Sequence, residues 1–153
     1  MNNVKVVTNN VRGIRDKRKR FTIINWLKSK DFDVICFQET FVSKEIVSDI
    51  EKDFHELGKY YASCTDSAHS RGVGILVSSK LDKWKVLSVH RDTEGRKILI
   101  NIKNLNNEIF SISSFYAPNN LQPRIQFIMN CNEWLQNNAA DTKNMIIVGD
   151  FNT

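Results

Sequence analysis

Three apolar runs each end in polar groups that could do chemistry. Asn10 follows the run from Val4 to Thr8, Gln38-Glu39-Thr40 follows the run from Val34, and Asp150 with Asn152 follows Met145 to Val148. A fourth run ends in Ser113-Ser114-Phe115-Tyr116, with Asn119 close behind. Carboxylate and amide oxygens are hard donors. They suit Mg²⁺, which one or two carboxylates hold and which water and substrate phosphate complete. Glu39 and Asp150 meet that carboxylate count, and Tyr116 brings a phenol that can donate to a phosphate oxygen. Each residue alone has a plainer reading: Glu39 as a surface or helix-capping acid, Asp150-Phe151-Asn152 as an Asx turn, Tyr116 as a buried tyrosine with a satisfied hydroxyl. Jointly they point to one place, because ligands of open α/β sheets gather in the crevice beyond the carboxyl ends of the strands.

Other candidates carry less. Arg71-Gly72-Val73-Gly74 lacks the third glycine and following helix of a dinucleotide fingerprint, and no phosphate-binding G-x-x-x-x-G-K-[ST] loop occurs. Asp66, Ser67 and His69 are neighbours in sequence, but a serine triad is assembled in space, so they read as a polar loop. His55 and His90 fall inside an expected helix and strand and read as structural. Trp26 and Trp134 lie near expected helix core faces and Trp84 begins a strand, so all three read as packing residues before base-stacking platforms. Cys36, Cys64 and Cys131 are odd in number and lack C-x-x-C spacing, which implies a reducing compartment rather than disulfides or a cysteine zinc site.

These groups need strands to carry them. The chain has 153 residues, 41% of them hydrophobic, with no apolar run near membrane-spanning length and no linker composition. One packed α/β domain over residues 1–153 is expected. Val4 to Thr8 reads as a strand, 17–29 as a helix with Phe21, Ile24 and Leu27 at helical spacing, and Val34 to Gln38 as a central strand. Ile46, Ile50, Phe54 and Leu57 mark a second amphipathic helix. Five β-rich runs at 59–64, 72–79, 84–91, 96–103 and 108–116 read as an antiparallel meander. A third helix spans about 121–138, with Asn120 as N-cap, Pro123 in the first turn and Ile125, Ile128, Cys131 and Leu135 inward. Met145 to Val148 is a last buried strand. Stacked sheets with helices outside follow from the layer rule. The stop at Thr153, directly after Asp150 and Asn152, reads as a C-terminal truncation.

Charge is biased mildly, with 22 Lys and Arg against 17 Asp and Glu. Its placement is less mild. Arg12, Arg15, Lys17, Arg18, Lys19 and Arg20 put six cations into nine positions directly after Asn10. Such a run reads either as a solvated helix start or as a neutraliser of nucleic-acid phosphates.

In order, Asn9-Asn10-Val11-Arg12-Gly13-Ile14-Arg15, Ile35-Cys36-Phe37-Gln38-Glu39-Thr40, Arg71-Gly72-Val73-Gly74-Ile75-Leu76, Phe115-Tyr116-Ala117-Pro118-Asn119 and Val148-Gly149-Asp150-Phe151-Asn152 resemble the endonuclease/exonuclease/phosphatase family. The form of the motifs is most similar to the apurinic-type endonuclease domain of LINE-type retrotransposon reverse-transcriptase polyproteins. The resemblance spans residues 4–153. It implies a four-layer α/β/β/α sandwich (DNase-like) that hydrolyses phosphodiesters with Mg²⁺ or Mn²⁺. It also implies roles: Glu39 as principal metal ligand with Asn10 beside it, Tyr116 on the phosphate, Asp150 aligning and deprotonating water, and Asn152 holding Asp150 and the phosphate. Asn10, Glu39, Asp150 and Asn152 are thus the expected metal set. Arg71 and Asn119 join the basic run as expected DNA contacts. The resemblance further implies a nicking DNA endonuclease fused to or derived from a reverse-transcriptase polyprotein, acting inside the cell in the nucleus. A family phosphatase or phosphodiesterase on lipid or nucleotide, and a non-catalytic nucleic-acid-binding remnant, are the alternatives. Two departures matter. The family's later Asp-His pair has no counterpart among His55, His69 and His90, and Phe41 stands where apurinic repair enzymes often place lysine.

Overall fold

The computed structural model describes residues 3–66 and 70–153; Ser67 and His69 of the candidate polar loop lie outside them. Among the described residues the chain forms eight strands in two four-stranded sheets. The first sheet is built from β1 (Val6–Asn10), β2 (Val34–Gln38), β3 (Gly58–Ser63) and β4 (Val73–Ser78), in the order β1-β2-β4-β3. The second runs β5-β6-β7-β8, from β5 (Lys85–Arg91), β6 (Lys97–Lys103), β7 (Ile109–Tyr116) and β8 (Met145–Asp150). β1 is parallel to β2 and β8 is parallel to β7, while the remaining pairs are antiparallel. The parallel pairs aim Asn10 with Gln38, and Tyr116 with Asp150, out of the same end of the molecule.

Alternation divides the core into layers. Val34 and Cys36 of β2 and Val73, Ile75 and Val77 of β4 face Ile98, Ile100, Ile102 and Ile112 of the second sheet. Ile35, Phe37 and Leu76 point the other way, where α1 (Lys17–Lys28) and α2 (Val47–Phe54) cover them with Ile24, Leu27, Ile50 and Phe54. Leu99 and Phe115 are covered by α3 (Leu121–Asn138) through Phe127, Cys131 and Leu135. Successive strand residues alternate faces, so a strand apolar at every position must be buried on both sides. The result is the expected α/β/β/α sandwich.

Several expectations shift. β1 begins two residues later than its apolar run and continues through Asn9 and Asn10, because parallel pairing with Phe37 and Gln38 occupies their backbone groups. The meander is divided between the sheets: β3 and β4 form a hairpin in the first, and β5-β6-β7 a meander in the second. A short 3-10 turn at Ser79–Leu81, capped by the Ser78 side chain, makes the crossing. Ile125 and Ile128 are exposed rather than inward, and the buried α3 stripe is Phe127, Cys131 and Leu135. Trp26 is also exposed, with Lys30 over its ring, whereas Trp84 stacks on Phe110 and Trp134 packs edge-on against Phe115. Asn120 is the N-cap of α3, but its side chain makes no capping bond.

Candidate active site

The carboxylates converge from different sheets. Asn10, the last residue of β1, donates through Nδ2 to Glu39 Oε1 at 2.9 Å and to Asp150 Oδ2 at 2.8 Å. Its Oδ1 accepts the Arg12 N–H at 3.1 Å. Asn10 therefore spaces and orients the two acids, with its oxygen turned toward the Arg12 backbone. Glu39 sits one residue beyond β2 with φ +50° and Phe41 with φ +53°, a left-handed backbone that side chains other than Gly, Asn and Asp seldom adopt. Loops interlock to hold it: Gly13 N–H and Ile14 N–H donate to Glu39 and Thr40 carbonyls at 2.6 and 2.9 Å, and Thr40 N–H donates to Gly72 O at 3.0 Å. Strain of this kind persists only where surroundings over-determine it, and here it marks functional geometry.

Beneath Glu39, the buried Gln38 amide donates to Ser114 Oγ at 2.9 Å and to Thr8 Oγ1 at 3.0 Å. It ties the sheets together under the site. Asp150 is fixed in turn by Asn152, whose backbone N–H donates to Asp150 Oδ1 at 3.0 Å and whose side-chain amide donates to Ala117 O at 2.7 Å. Arg124 holds the following turn by donating to Asn152 O and to Asn119 O. Tyr116 closes the other wall. Burial and the facing Glu39 carboxylate raise its phenol above the usual tyrosine range, while Arg96 opposes the shift. At neutral pH the group is a neutral donor.

Glu39 and Tyr116 line a cleft of about 720 Å³ with Phe41, Arg71, Glu94, Arg96 and Asn119. Arg71 and Asn119 thus share a cleft with Glu39. Arg96, which sequence reasoning passed over, lies with its guanidinium 5.2 Å from the Tyr116 ring centre and donates to Tyr116 O at 3.1 Å. Burial and the neighbouring Arg71 charge lower its pKa. Glu94 in the same cleft pairs with Arg96 at 3.9 Å. The usable signal was Thr93-Glu94-Gly95, a turn that delivers Arg96 to the start of β6, where Lys97 pairs with Phe115.

The basic run divides. Arg12, Arg15, Lys17 and Arg18 are exposed. Lys19 turns back to donate through Nζ to Val11 O and Arg12 O at 2.6 and 2.8 Å. Arg20 is corrected outright: its side chain is only 6% exposed, paired with Asp53 at 2.7 Å and bonded to the carbonyls of Ile14 and Arg15, so it cannot meet a nucleic acid. His55 and His90 lie away from the acids, His90 bonding Ser88 on β5. A groove of about 770 Å³ flanked by Tyr61 and Trp84 opens at the other end of the sheets, remote from the acids.

As to a metal, the described residues hold no cluster of three or more His, Cys, Asp or Glu side chains. They do present two carboxylates bridged by one amide, with Glu39 opening into the cleft, and that suits a hard cation whose remaining positions water and phosphate would fill. No helix among the described residues is long and apolar enough to cross a membrane.

The two stacked sheets with helices outside are the frame of the site, and residues 8–153 match the Endonuclease/Exonuclease/phosphatase family, to which this chain belongs. It is similar to an exodeoxyribonuclease of Bacillus subtilis (strain 168), 27% identical over 97% of this chain and 58% of that protein. Its fold resembles an AP endonuclease from Archaeoglobus fulgidus, with a TM-score of 0.71 and 24% identity over 98% of this chain and 58% of that one. It likewise resembles a functionally unknown conserved protein from Enterococcus faecalis V583, with a TM-score of 0.72 and 14% identity over 98% of this chain and 67% of that one. The chain thus spans little more than half the length of the exodeoxyribonuclease it matches.

Proposed function

We propose that this chain carries the metal-binding face of a Mg²⁺- or Mn²⁺-dependent DNA endonuclease of retroelement type, joined to or derived from a reverse-transcriptase polyprotein and acting in the nucleus. The observation that carries the hydrolytic reading is the meeting of Glu39 and Asp150 on the single Asn10 amide, with Glu39 on the wall of a cleft that also holds Tyr116, Arg71 and Arg96.

Glu39 and Asp150 are the groups that would hold the cation, which when bound would supply Lewis-acid stabilisation of the charge that develops on the phosphate. Asp150, held by the Asn152 N–H, accepts the proton of the attacking water as its oxygen bonds to phosphorus and the bond to the leaving oxygen breaks. The Tyr116 phenol, kept protonated by burial and Glu39, donates to a non-bridging oxygen. Arg71 and Arg96 offset the remaining phosphate charge. Arg12, Arg15, Lys17 and Arg18 lie just past Asn10, where they extend the positive surface to flanking phosphates. A DNA strand uses such an extension and a small phosphate ester does not, which favours nucleic acid over lipid or nucleotide substrates. The retroelement assignment rests on the basic run after Arg12-Gly13-Ile14-Arg15 and on the Tyr116-Ala117-Pro118-Asn119 form.

Glu39→Gln tests the reading. In the full-length protein it should cut Mg²⁺-dependent nicking of a supercoiled plasmid on the order of 10²-fold or more, with the melting temperature and most DNA affinity retained. Residual nicking within a fewfold of the parent would place the metal elsewhere. A second reading, DNA binding without turnover, draws on the donor count of only two carboxylates among the described residues. It is favoured if the protein binds DNA with a steep salt dependence yet nicks no plasmid.

A further inference from the structure

Phe41 is an aromatic ring where phosphate chemistry has no need of one. It borders the cleft two residues from Glu39 and is half-buried. Its backbone is left-handed, φ +53°, a conformation that Gly or Asn would adopt more easily than a bulky residue. Phe41 N–H is held by Arg71 O at 2.9 Å, so the ring is fixed by the same loop that carries Arg71 into the cleft. One edge of the ring rests on Gly13, where an added Cβ would lie 2.9 Å from Cδ2. Pro118 and Pro123 line the same space. A charged or polar side chain beside Glu39 would solvate that carboxylate better than a phenyl ring does. The ring and the two prolines give the cleft an apolar wall beside Arg71 and the Arg96–Glu94 pair, a wall that matches a flat ligand carrying a charged group.

Resting on the nucleic-acid reading above, we propose that Phe41 is a stacking platform for one nucleobase of the bound strand, so that the site grips a nucleoside face as well as a phosphate. Base–aromatic stacking tolerates sequence, because every base has a π-face. The contact would therefore fix where along the strand the site engages without choosing the base.

The test is a thermodynamic cycle in the full-length protein, with binding read by fluorescence polarisation in EDTA so that turnover does not intervene. The probes are labelled single-stranded oligonucleotides, one intact and the others each lacking the base at a single position. In the parent protein, deletion of one particular base should weaken binding roughly tenfold. Phe41→Ala should lose about that factor on the intact strand and become indifferent to the base at that position. Phe41→Leu, which keeps apolar bulk without a π-face and guards against a folding defect in the alanine variant, should behave alike, and Phe41→Trp should keep the base dependence. Equal losses by Phe41→Leu on intact and base-less strands would reduce Phe41 to a packing residue, and no loss would remove it from the site. Binding by the parent without such coupling overturns this proposal alone. Failure of the parent to bind any of these strands overturns it together with the nucleic-acid reading.

Discussion

Removing the Arg20 guanidinium would strand the Asp53 carboxylate and leave the Ile14 and Arg15 carbonyls without their donor, all in space that water barely reaches. Breaking one side of such a buried pair costs about 3–5 kcal/mol. Arg20→Met should therefore lower the denaturant midpoint sharply while leaving the salt dependence of DNA binding in the surviving folded protein unchanged. Lys17 and Arg18 should behave in the opposite way. Both are exposed, and Lys17 Nζ lies 5.8 Å from the centre of the Phe21 ring, itself exposed. Replacing both by alanine should leave stability near that of the parent and flatten the log-log salt slope by up to ~0.9 for each phosphate they neutralise. An unchanged slope would make them a solvated face. The six cations were legible as a run; their division was not. Whether a cation closes on a buried carbonyl or faces water depends on what packs against that turn of α1, and Asp53 comes from a separate helix, 33 positions along the chain.

Loops at the carboxyl ends of the strands act as one element, and Gly72 is where they are tightest. Its φ is +90°, and an added Cβ would lie 2.2 Å from Thr40 Oγ1, in the segment that carries Glu39 and Phe41. Thr40 is buried and its backbone N–H depends on Gly72 O, so the segment has no room to yield. Gly72→Ala should cost about 1–3 kcal/mol of stability. It should also weaken Mn²⁺ binding, read by electron paramagnetic resonance, because Glu39 moves with Thr40. Loss of stability with unchanged Mn²⁺ affinity would separate Gly72 from the site. The strand exits themselves were readable because β2 and β8 are apolar runs that end abruptly in oxygen-bearing residues. Two other features were not. Turn residues between β4 and β5 look alike whether the chain folds back into one sheet or crosses to another, so the division of the meander stayed hidden. α3 offers two apolar stripes, Leu121-Ile125-Ile128-Met129 and Phe127-Cys131-Trp134-Leu135, and periodicity alone cannot choose between them.

At the scale of the whole molecule, the stripe not chosen has consequences. Leu121, Ile125, Ile128 and Met129 are 58%, 43%, 45% and 67% exposed, on successive turns of a single helix. β8 lies at the edge of the second sheet, and its Met145 packs into the α3 layer. Ile147, two residues on and so on the same face, is 43% exposed. That outer layer is covered by one helix, whereas α1 and α2 share the cover of the first sheet. Contiguous apolar surface and an unpaired strand edge both favour association. Residues 1–153 expressed alone should therefore sediment as a concentration-dependent mixture larger than a monomer. Ile125→Glu with Met129→Lys should restore the monomer, since the new pair at i and i+4 supports the helix while breaking the stripe. Stability should change little, because neither side chain contributes to the Phe127-Cys131-Leu135 cluster. A parent chain that stays monomeric across concentrations would mean the stripe is too narrow to drive association.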